Sequence, residues 1–152
     1  MIRRDMRKPC RSGATMVEFA FVGSLALLVL FGIFEYARYV AVLQVTHNAA
    51  REGARFAIVH TGDGTTEQDV IDEVNRRMGS RQKELDGYQV EILAVDPNTG
   101  NQKPGSQWND AAFGEAIAVR ITGQYKPLLP EFLFTAEIID IDISHMMNSE
   151  AN

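Results

Sequence analysis

Residues 14–34 read ATMVEFAFVGSLALLVLFGIF, and this stretch decides the fold class. It carries no charged side chain from Phe19 to Phe34. As a helix it would measure about 31 Å, which is close to the hydrocarbon thickness of a bilayer. A buried core helix is the alternative, but the apolar residues surround the helix axis instead of forming one stripe. We therefore predict a transmembrane helix.

The charge distribution predicts the orientation of this helix. The chain has 152 residues and a formal net charge of −5. Residues 1–13 carry five basic side chains and one acid, whereas residues 14–152 carry ten basic and nineteen acidic side chains. By the positive-inside rule, the basic end lies in the cytoplasm and residues 35–152 lie on the other side of the membrane. A cleaved secretory signal peptide fits less well, because bulky and charged residues follow the apolar stretch directly at 35–39.

Composition excludes several classes of protein. The single cysteine, Cys10, cannot form an internal disulfide, so a disulfide scaffold is excluded. Net positive charge is confined to one short tail, residues 1–13, and the rest of the chain is acidic, which argues against a nucleic-acid partner. We find neither a nucleophile–base pair nor a phosphate-binding loop in the sequence. We predict a protein that is not an enzyme and has no cofactor.

The sequence also predicts no metal site. His47, His60 and His145 are widely spaced, and no cysteine pair accompanies them, so each is expected to be a surface histidine. Asp140 and Asp142 fall on one face of a predicted strand and could share a calcium ion with Asp86 or Asp96. The spacing of an EF-hand loop is absent, however, and a solvated strand face is the favoured interpretation.

Glu18 is an ionisable residue near the start of the apolar stretch. A carboxylate costs about 2.5–3.5 kcal/mol at mid-bilayer and less near the interface, so it needs an explanation. Either Glu18 reaches back to the lipid headgroups or it has a cationic partner. A cut after Gly13 would create an α-ammonium at Ala14, and a buried carboxylate is tolerated when it is paired with a cation. Pairing within one helix would bend its first turn, which favours a donor from a neighbouring subunit.

Two motifs resemble those of a known family. Residues 11–20, RSGATMVEFA, resemble the prepilin cleavage site of tight-adherence (Tad/Flp) pilus systems, with Gly13 before the cut, Glu18 at mature position five and the aromatic Phe19 at six. Residues 48–57, NAAREGARFA, resemble a stretch of TadE/TadG-like minor pilins, also called pseudopilins. Together with the apolar helix between them, the motifs cover about residues 11–60.

The resemblance implies a function and a set of partners. Cleavage between Gly13 and Ala14 by a prepilin peptidase would release a basic leader from a protein held in inner-membrane lipid. The expected partners are the major pilin, other minor pilins and the pilus assembly platform, with Glu18 and Phe19 at the assembly interface. The protein would help to initiate, cap or assemble a pilus used for surface adhesion. The alternative is an uncleaved single-pass anchor for a ligand-binding or sensor domain, supported by the long loop 96–114 around Trp108.

The helix is expected to continue out of the membrane to about Val59, because no Pro or Gly cluster interrupts it earlier. This half carries a predicted apolar stripe of Val42, Val45, Ala49, Gly53 and Phe56. Four small residues let another backbone approach closely: Ala49, Ala50, Gly53 and Ala54. They serve helix packing in a filament or packing inside this protein, and the two can hold together on different helix faces. The second alternative is favoured.

The remaining sequence predicts a small α+β head. Residues 65–79 have the pattern of a short helix, capped by Thr65 or Thr66. Apolar residues alternate with polar ones within residues 88–92, 117–122 and 139–144, which predicts three antiparallel strands. We predict a pilin-like α+β fold, in which a long N-terminal helix packs on this sheet. Its parts are a basic leader (1–13), a transmembrane and assembly helix (14–34) and an extracytoplasmic head (35–152).

Overall fold

A computed structural model describes residues 12–103, 105–111, 114–128 and 138–148. Most of the basic leader, residues 1–11, lies outside the described residues. Helix α1 spans Ser12–Val59, and its 48 residues form one continuous rod of about 72 Å. Helix α2 spans Glu67–Met78 and is followed by a 3-10 turn at Gly79–Glu84.

Within the described residues, three strands form one antiparallel sheet in the order β1-β2-β3. Strand β1 spans Leu85–Val95, β2 spans Ala116–Tyr125 and β3 spans Ile139–Asn148, and a short 3-10 turn at Trp108–Asp110 interrupts the loop after β1. This arrangement confirms the predicted α+β class. The alternating pattern had located only the middle of strands β1 and β2, and the hydrogen-bonded ladders extend beyond it.

The register of β1 against β2 shifts between Asp86 and Gln89. Gly87 lies inside this irregularity with a φ of +65°, a left-handed conformation that costs glycine little and other residues more. Beyond the bulge the pairing is regular, with Val90 opposite Ile121. Ile121 in turn lies opposite Ile143 of β3, so apolar side chains from the three strands are aligned in one row across the sheet.

The head core lies between this row, the second half of α1, and α2. Its largest fully buried side chains include Tyr125, Met78, Ile117, Ile121, Val42, Val70, Val74 and Val119. The buried face of α1 is wider than the predicted stripe, because the helix contacts both the sheet and α2. Thr46 is fully buried although it is polar, and its hydroxyl donates to the Val42 carbonyl at 2.8 Å. Val45 and Phe56, which the stripe had included, are only partly buried.

A capping box fixes the start of α2. The Thr66 hydroxyl accepts a hydrogen bond from the Asp69 amide at 3.3 Å, and the Asp69 carboxylate accepts one from the Thr66 amide at 2.8 Å. These bonds satisfy two backbone donors that the helix itself leaves unpaired. Of the two predicted caps, Thr65 and Thr66, the N-cap residue of α2 is therefore Thr66.

Close contact between α1 and α2 depends on Gly53. A Cβ atom at this position would lie 2.4 Å from Cγ2 of Val74, far inside van der Waals contact. Val74 is fully buried in the head core. Glycine at 53 is therefore required by the separation of the two helices.

We expect Gly53→Leu to lower the free energy of unfolding of the head by about 3 kcal/mol, because the new side chain overpacks the α1–α2 contact. Denaturant unfolding of the detergent-solubilised chain, followed by the fluorescence of its single tryptophan, measures this change. Gly32→Leu is the matched control, since nothing lies within 4 Å of a Cβ atom at Gly32. Equal stability of the two variants would contradict the packing argument.

Candidate functional site

The first half of α1 is apolar and exposed. Among the described residues it is the one helix long and apolar enough to span a membrane, and none of its most apolar 18-residue window is buried in the protein. Large side chains point outward on all sides: Phe19 is 78% exposed, Phe21 is 74% exposed and Phe34 is 64% exposed. Such a surface is unfavourable in water, so this half requires lipid or other apolar helices around it.

The predicted processing and assembly residues lie at the start of this apolar half. Gly13 is in the first turn of α1 and is exposed, and the backbone of Ala14 continues the helix. Glu18 and Phe19 follow one turn later, and both side chains are exposed. Glu18 therefore presents a carboxylate on an otherwise apolar helical surface.

The four small residues of α1 lie elsewhere, inside the head. Ala49, Ala50 and Ala54 are fully buried, and Gly53 is buried against Val74. Their small size lets α2 and the sheet approach the helix axis closely. Packing within the protein already occupies this face, so it offers no open surface to another helix.

A polar cluster joins α1 to the sheet directly after the apolar stretch. Glu35 is only 5% exposed, and its Oε1 accepts a hydrogen bond from the Tyr125 hydroxyl at 2.6 Å. The same oxygen accepts a second bond from the Arg38 Nη2 at 2.8 Å. Arg38 Nη2 also donates to the Lys126 carbonyl at 3.1 Å. We call Glu35, Arg38 and Tyr125 the junction cluster.

Aromatic and charged neighbours surround the junction cluster. The Arg38 guanidinium lies 4.9 Å from the centroid of the Tyr125 ring, and the Tyr39 ring lies 5.3 Å from it. Nη1 of Arg38 also lies 3.6 Å from Oε2 of Glu84. Burial raises the pKa of the Tyr125 hydroxyl, and the hydrogen bond to Glu35 raises it further. The hydroxyl therefore stays protonated at physiological pH and remains a donor to the buried carboxylate.

None of the three residues of the junction cluster was predicted from the sequence as part of a site. Glu35 and Arg38 are three apart in a helix, a spacing at which opposite charges can pair, and they directly follow the apolar stretch. This spacing could therefore have predicted the Glu35–Arg38 pair from the sequence. The third member, Tyr125, is 90 residues away from Glu35 in the chain, and only the fold brings it there.

The acidic residues of the outer sheet face bind other side chains. Asp142 accepts from Nε of Arg120 at 2.8 Å, and this bond lowers the pKa of its carboxyl group. Asp140 accepts from the Gln124 amide at 3.0 Å, and Asp86 pairs with Lys126 at 2.6 Å. These contacts give the aspartates protein partners on an exposed strand face; the sequence had favoured a solvated face but had not predicted the pairing.

The histidines are not all dispersed. His60 binds the backbone of its own helix, with Nδ1 at 2.8 Å from the Phe56 carbonyl oxygen. His47 and His145, however, lie in contact, with 3.1 Å between Nδ1 of the first and Nε2 of the second. The expectation of dispersed histidines was wrong for this pair, because β3 returns along α1 and brings together residues 98 apart in sequence. His47 is exposed, as predicted.

The loop between β1 and β2 forms one wall of an open cavity of about 500 Å³. Trp108 anchors the loop and is only 6% exposed, so most of its ring belongs to the head core. Gln107 and Asn109 line the cavity together with the start of α2 at Thr66.

Comparison with known families matches the first part of the chain. Residues 13–55 match the family model described as TadE-like protein. The match covers Gly13, Glu18, the apolar half of α1, the junction residues Glu35 and Arg38, and α1 as far as Arg55; α2 and the sheet lie outside it. Searches of curated proteins and of solved structures gave no match.

We expect Arg38→Met to destabilise the head by about 1–3 kcal/mol, because it leaves the buried Glu35 carboxylate without its cation. Arg55→Met is the matched control, because Arg55 is 70% exposed and its ion pair with Glu52 is long, with 4.0 Å between Nη1 and Oε2. We expect its free energy of unfolding to change by no more than about 0.5 kcal/mol. Adding Glu35→Gln to Arg38→Met should recover much of the loss. Denaturant unfolding measures all three, and equal effects of the two arginine variants would refute the argument.

Proposed function

Because residues 13–55 are TadE-like, which associates the chain with the Tad pilus, we propose that this protein is a minor pilin of that system. It is processed after Gly13 by a prepilin peptidase and helps to initiate, cap or assemble a pilus used for surface adhesion. One observation carries the proposal: the family match begins at Gly13 and includes Glu18 and the exposed apolar half of α1. This role is structural, and its partners are other proteins and lipid.

Before assembly, the apolar half of α1 spans the inner membrane, with its N-terminus in the cytoplasm and the head outside. The exposed phenylalanines of this half support a lipid environment, and the basic residues 1–13 support the orientation. The leader (1–13), membrane helix (14–34) and head (35–152) then correspond to three successive environments. The junction cluster stands at the boundary between the second and the third.

During assembly, the apolar helix exchanges lipid for the helices of the major pilin and other minor pilins at the assembly platform. Glu18 pairs with the α-ammonium that cleavage creates at Ala14 of a neighbouring subunit, which sets the register between helices. An ion pair of this kind offsets the cost of a carboxylate in an apolar surrounding. Phe19 contributes apolar surface beside it. The head core already occupies the small residues of α1, which leaves residues 14–34 as the contact segment.

The second candidate is an uncleaved anchor for a ligand-binding or sensor domain. The open cavity beside Trp108 favours it, since its wall combines polar side chains with one aromatic ring. This candidate assigns no role to Gly13 or to the position of Glu18. Processing at Gly13 therefore separates the two candidates.

We expect Gly13→Leu to abolish removal of the leader, because a large side chain before the cut obstructs close approach of the peptidase to the backbone. Intact-mass measurement of the membrane-extracted protein, with and without its prepilin peptidase, detects the loss of residues 1–13. Gly23→Leu is the control and should be processed normally, since it lies beyond the cleavage site on the same helix. An intact leader in the unmodified protein, with the peptidase present, would favour the uncleaved anchor.

We expect Glu18→Ala to be inserted in the membrane and cleaved normally but to be lost from purified pili, because the variant cannot pair with a neighbour's α-ammonium. Immunoblots of sheared pili and of membrane fractions measure the two pools. Glu52→Ala removes a carboxylate from the head half of α1 and serves as the control. Normal incorporation of Glu18→Ala would exclude the register role, while leaving the processing result unaffected.

A further inference from the structure

One end of the sheet lies where the apolar half of α1 ends. At this end Tyr125 of β2 is opposite Ile139 of β3, and the Tyr125 hydroxyl binds Glu35, the first residue after the apolar stretch. The Leu128 backbone also hydrogen-bonds to the Glu35 carboxylate, so the chain that follows β2 is held against α1. Ile138 directly precedes Ile139 in the chain. These contacts place this end of the sheet at the level of Glu35.

Exposed hydrophobic side chains are concentrated at this end. After Phe34, five large hydrophobic side chains are exposed among the described residues, and three of them lie here. Tyr36 is 63% exposed, Leu128 is 77% exposed and Ile138 is 41% exposed. We call Tyr36, Leu128 and Ile138 the foot of the head. A single exposed hydrophobic residue needs no explanation, but several at one place indicate a surface that contacts something apolar.

Basic side chains are also concentrated around the foot. The described part of residues 35–152 carries ten basic and fifteen acidic side chains. Four of the basic ones lie at this end together with three of the acidic ones: Arg38, Arg81, Lys83, Lys126, Glu35, Glu84 and Asp86. The rest of the described head then has twice as many acidic as basic residues. The surroundings of the foot therefore suit anionic phosphate groups better than the acidic remainder of the head does.

We propose that the foot lies in the phospholipid headgroup layer of the membrane that α1 spans, and that it sets the tilt and rotation of α1. This inference rests on the transmembrane placement of α1 in the proposed function. The headgroup layer adds about 5–7 Å on each side of the hydrocarbon, so a residue that directly follows the apolar stretch lies within it. Tyrosine is common at this level because its ring is apolar and its hydroxyl is polar.

Leu128 and Ile138 extend the contact to the sheet side of α1. The backbone beside Leu128 is fixed, since the Lys126 carbonyl accepts a hydrogen bond from Arg38 at 3.1 Å. A helix that crosses a bilayer can tilt and rotate about its axis, and anchors at the interface select one orientation. An anchor held to one side of the helix therefore favours one tilt and one rotation.

A second copy of the chain is the competing occupant of the foot. Lipid is favoured for two reasons. The foot is continuous with the apolar half of α1, whose phenylalanines are exposed on all sides. The basic side chains around it match the phosphate groups that every phospholipid carries, whereas the rest of the head is acidic.

A fluorescent label read in vesicles tests the position of the foot. The full chain with Cys10→Ser is reconstituted in phosphatidylcholine and phosphatidylglycerol, and Leu128→Cys carries an environment-sensitive dye. We expect quenching by lipids with a nitroxide near the headgroup and protection from aqueous iodide. Val59→Cys is the matched control, because Val59 is 70% exposed but lies about 36 Å further along α1 than Glu35. Its label should show the opposite pattern.

A label at Phe21→Cys, in the apolar half of α1, tests the transmembrane placement separately. Failure of nitroxide lipids to quench it would contradict the proposed function itself. Quenching at residue 21 together with iodide access at residue 128 would overturn the foot proposal alone. Protection of residue 128 from both quenchers, lost when the protein is diluted in lipid, would assign the foot to a second copy and also overturn it.

Polarised infrared spectroscopy of oriented membranes tests the effect on α1. Leu128→Gln should shift the dichroic ratio of the helix, because a polar side chain no longer holds the foot at the apolar boundary. Val59→Gln is the control and should leave the ratio unchanged. The fluorescence of Trp108 verifies that both variants are folded. An unchanged ratio in Leu128→Gln would exclude the orienting role.

Discussion

A buried carboxylate marks the point where α1 changes its surroundings. Glu35 follows the apolar stretch immediately, and it is stabilised by Arg38 from its own helix and by Tyr125 from the sheet. A buried ion pair is rarely a net source of stability, but breaking one is costly. Tyr125 is the last residue of β2, so its hydrogen bond to Glu35 joins the sheet to α1 at the point where the apolar stretch ends. The apolar contacts of α1 with the sheet and α2 continue from this point along the helix.

One helix thus meets two different physical requirements. Up to Phe34 it has apolar side chains on all sides, which suits lipid or a bundle of like helices. After Glu35 it has a wide buried face made of small residues, which suits close contact with a sheet and a second helix. The same backbone therefore transmits the position of the membrane segment directly to the head.

Much of the fold could be predicted from the sequence because the patterns are local. The apolar stretch, the alternation in the strands and the Thr66 cap each depend on neighbouring residues, and the structure contains all three. The width of the buried face of α1 could not be predicted, since it depends on two elements packing on the helix at once. Thr46 is an example. It is polar and was not part of the predicted apolar stripe, yet the packing buries it, and its hydroxyl is satisfied by the Val42 carbonyl.

The residues of the candidate site also fall into those that the sequence could predict and those that only the fold brings together. By itself the sequence determined the apolar segment, the position of Gly13 and Glu18 at its start, and the resemblance to a pilin family, because these are properties of consecutive residues. Only the tertiary structure decided which residues meet across the chain. Tyr125 reaches Glu35, and His145 reaches His47, over separations of 90 and 98 residues. No local pattern encodes such contacts, since they depend on the register of β2 and β3 and on where the sheet lies along α1.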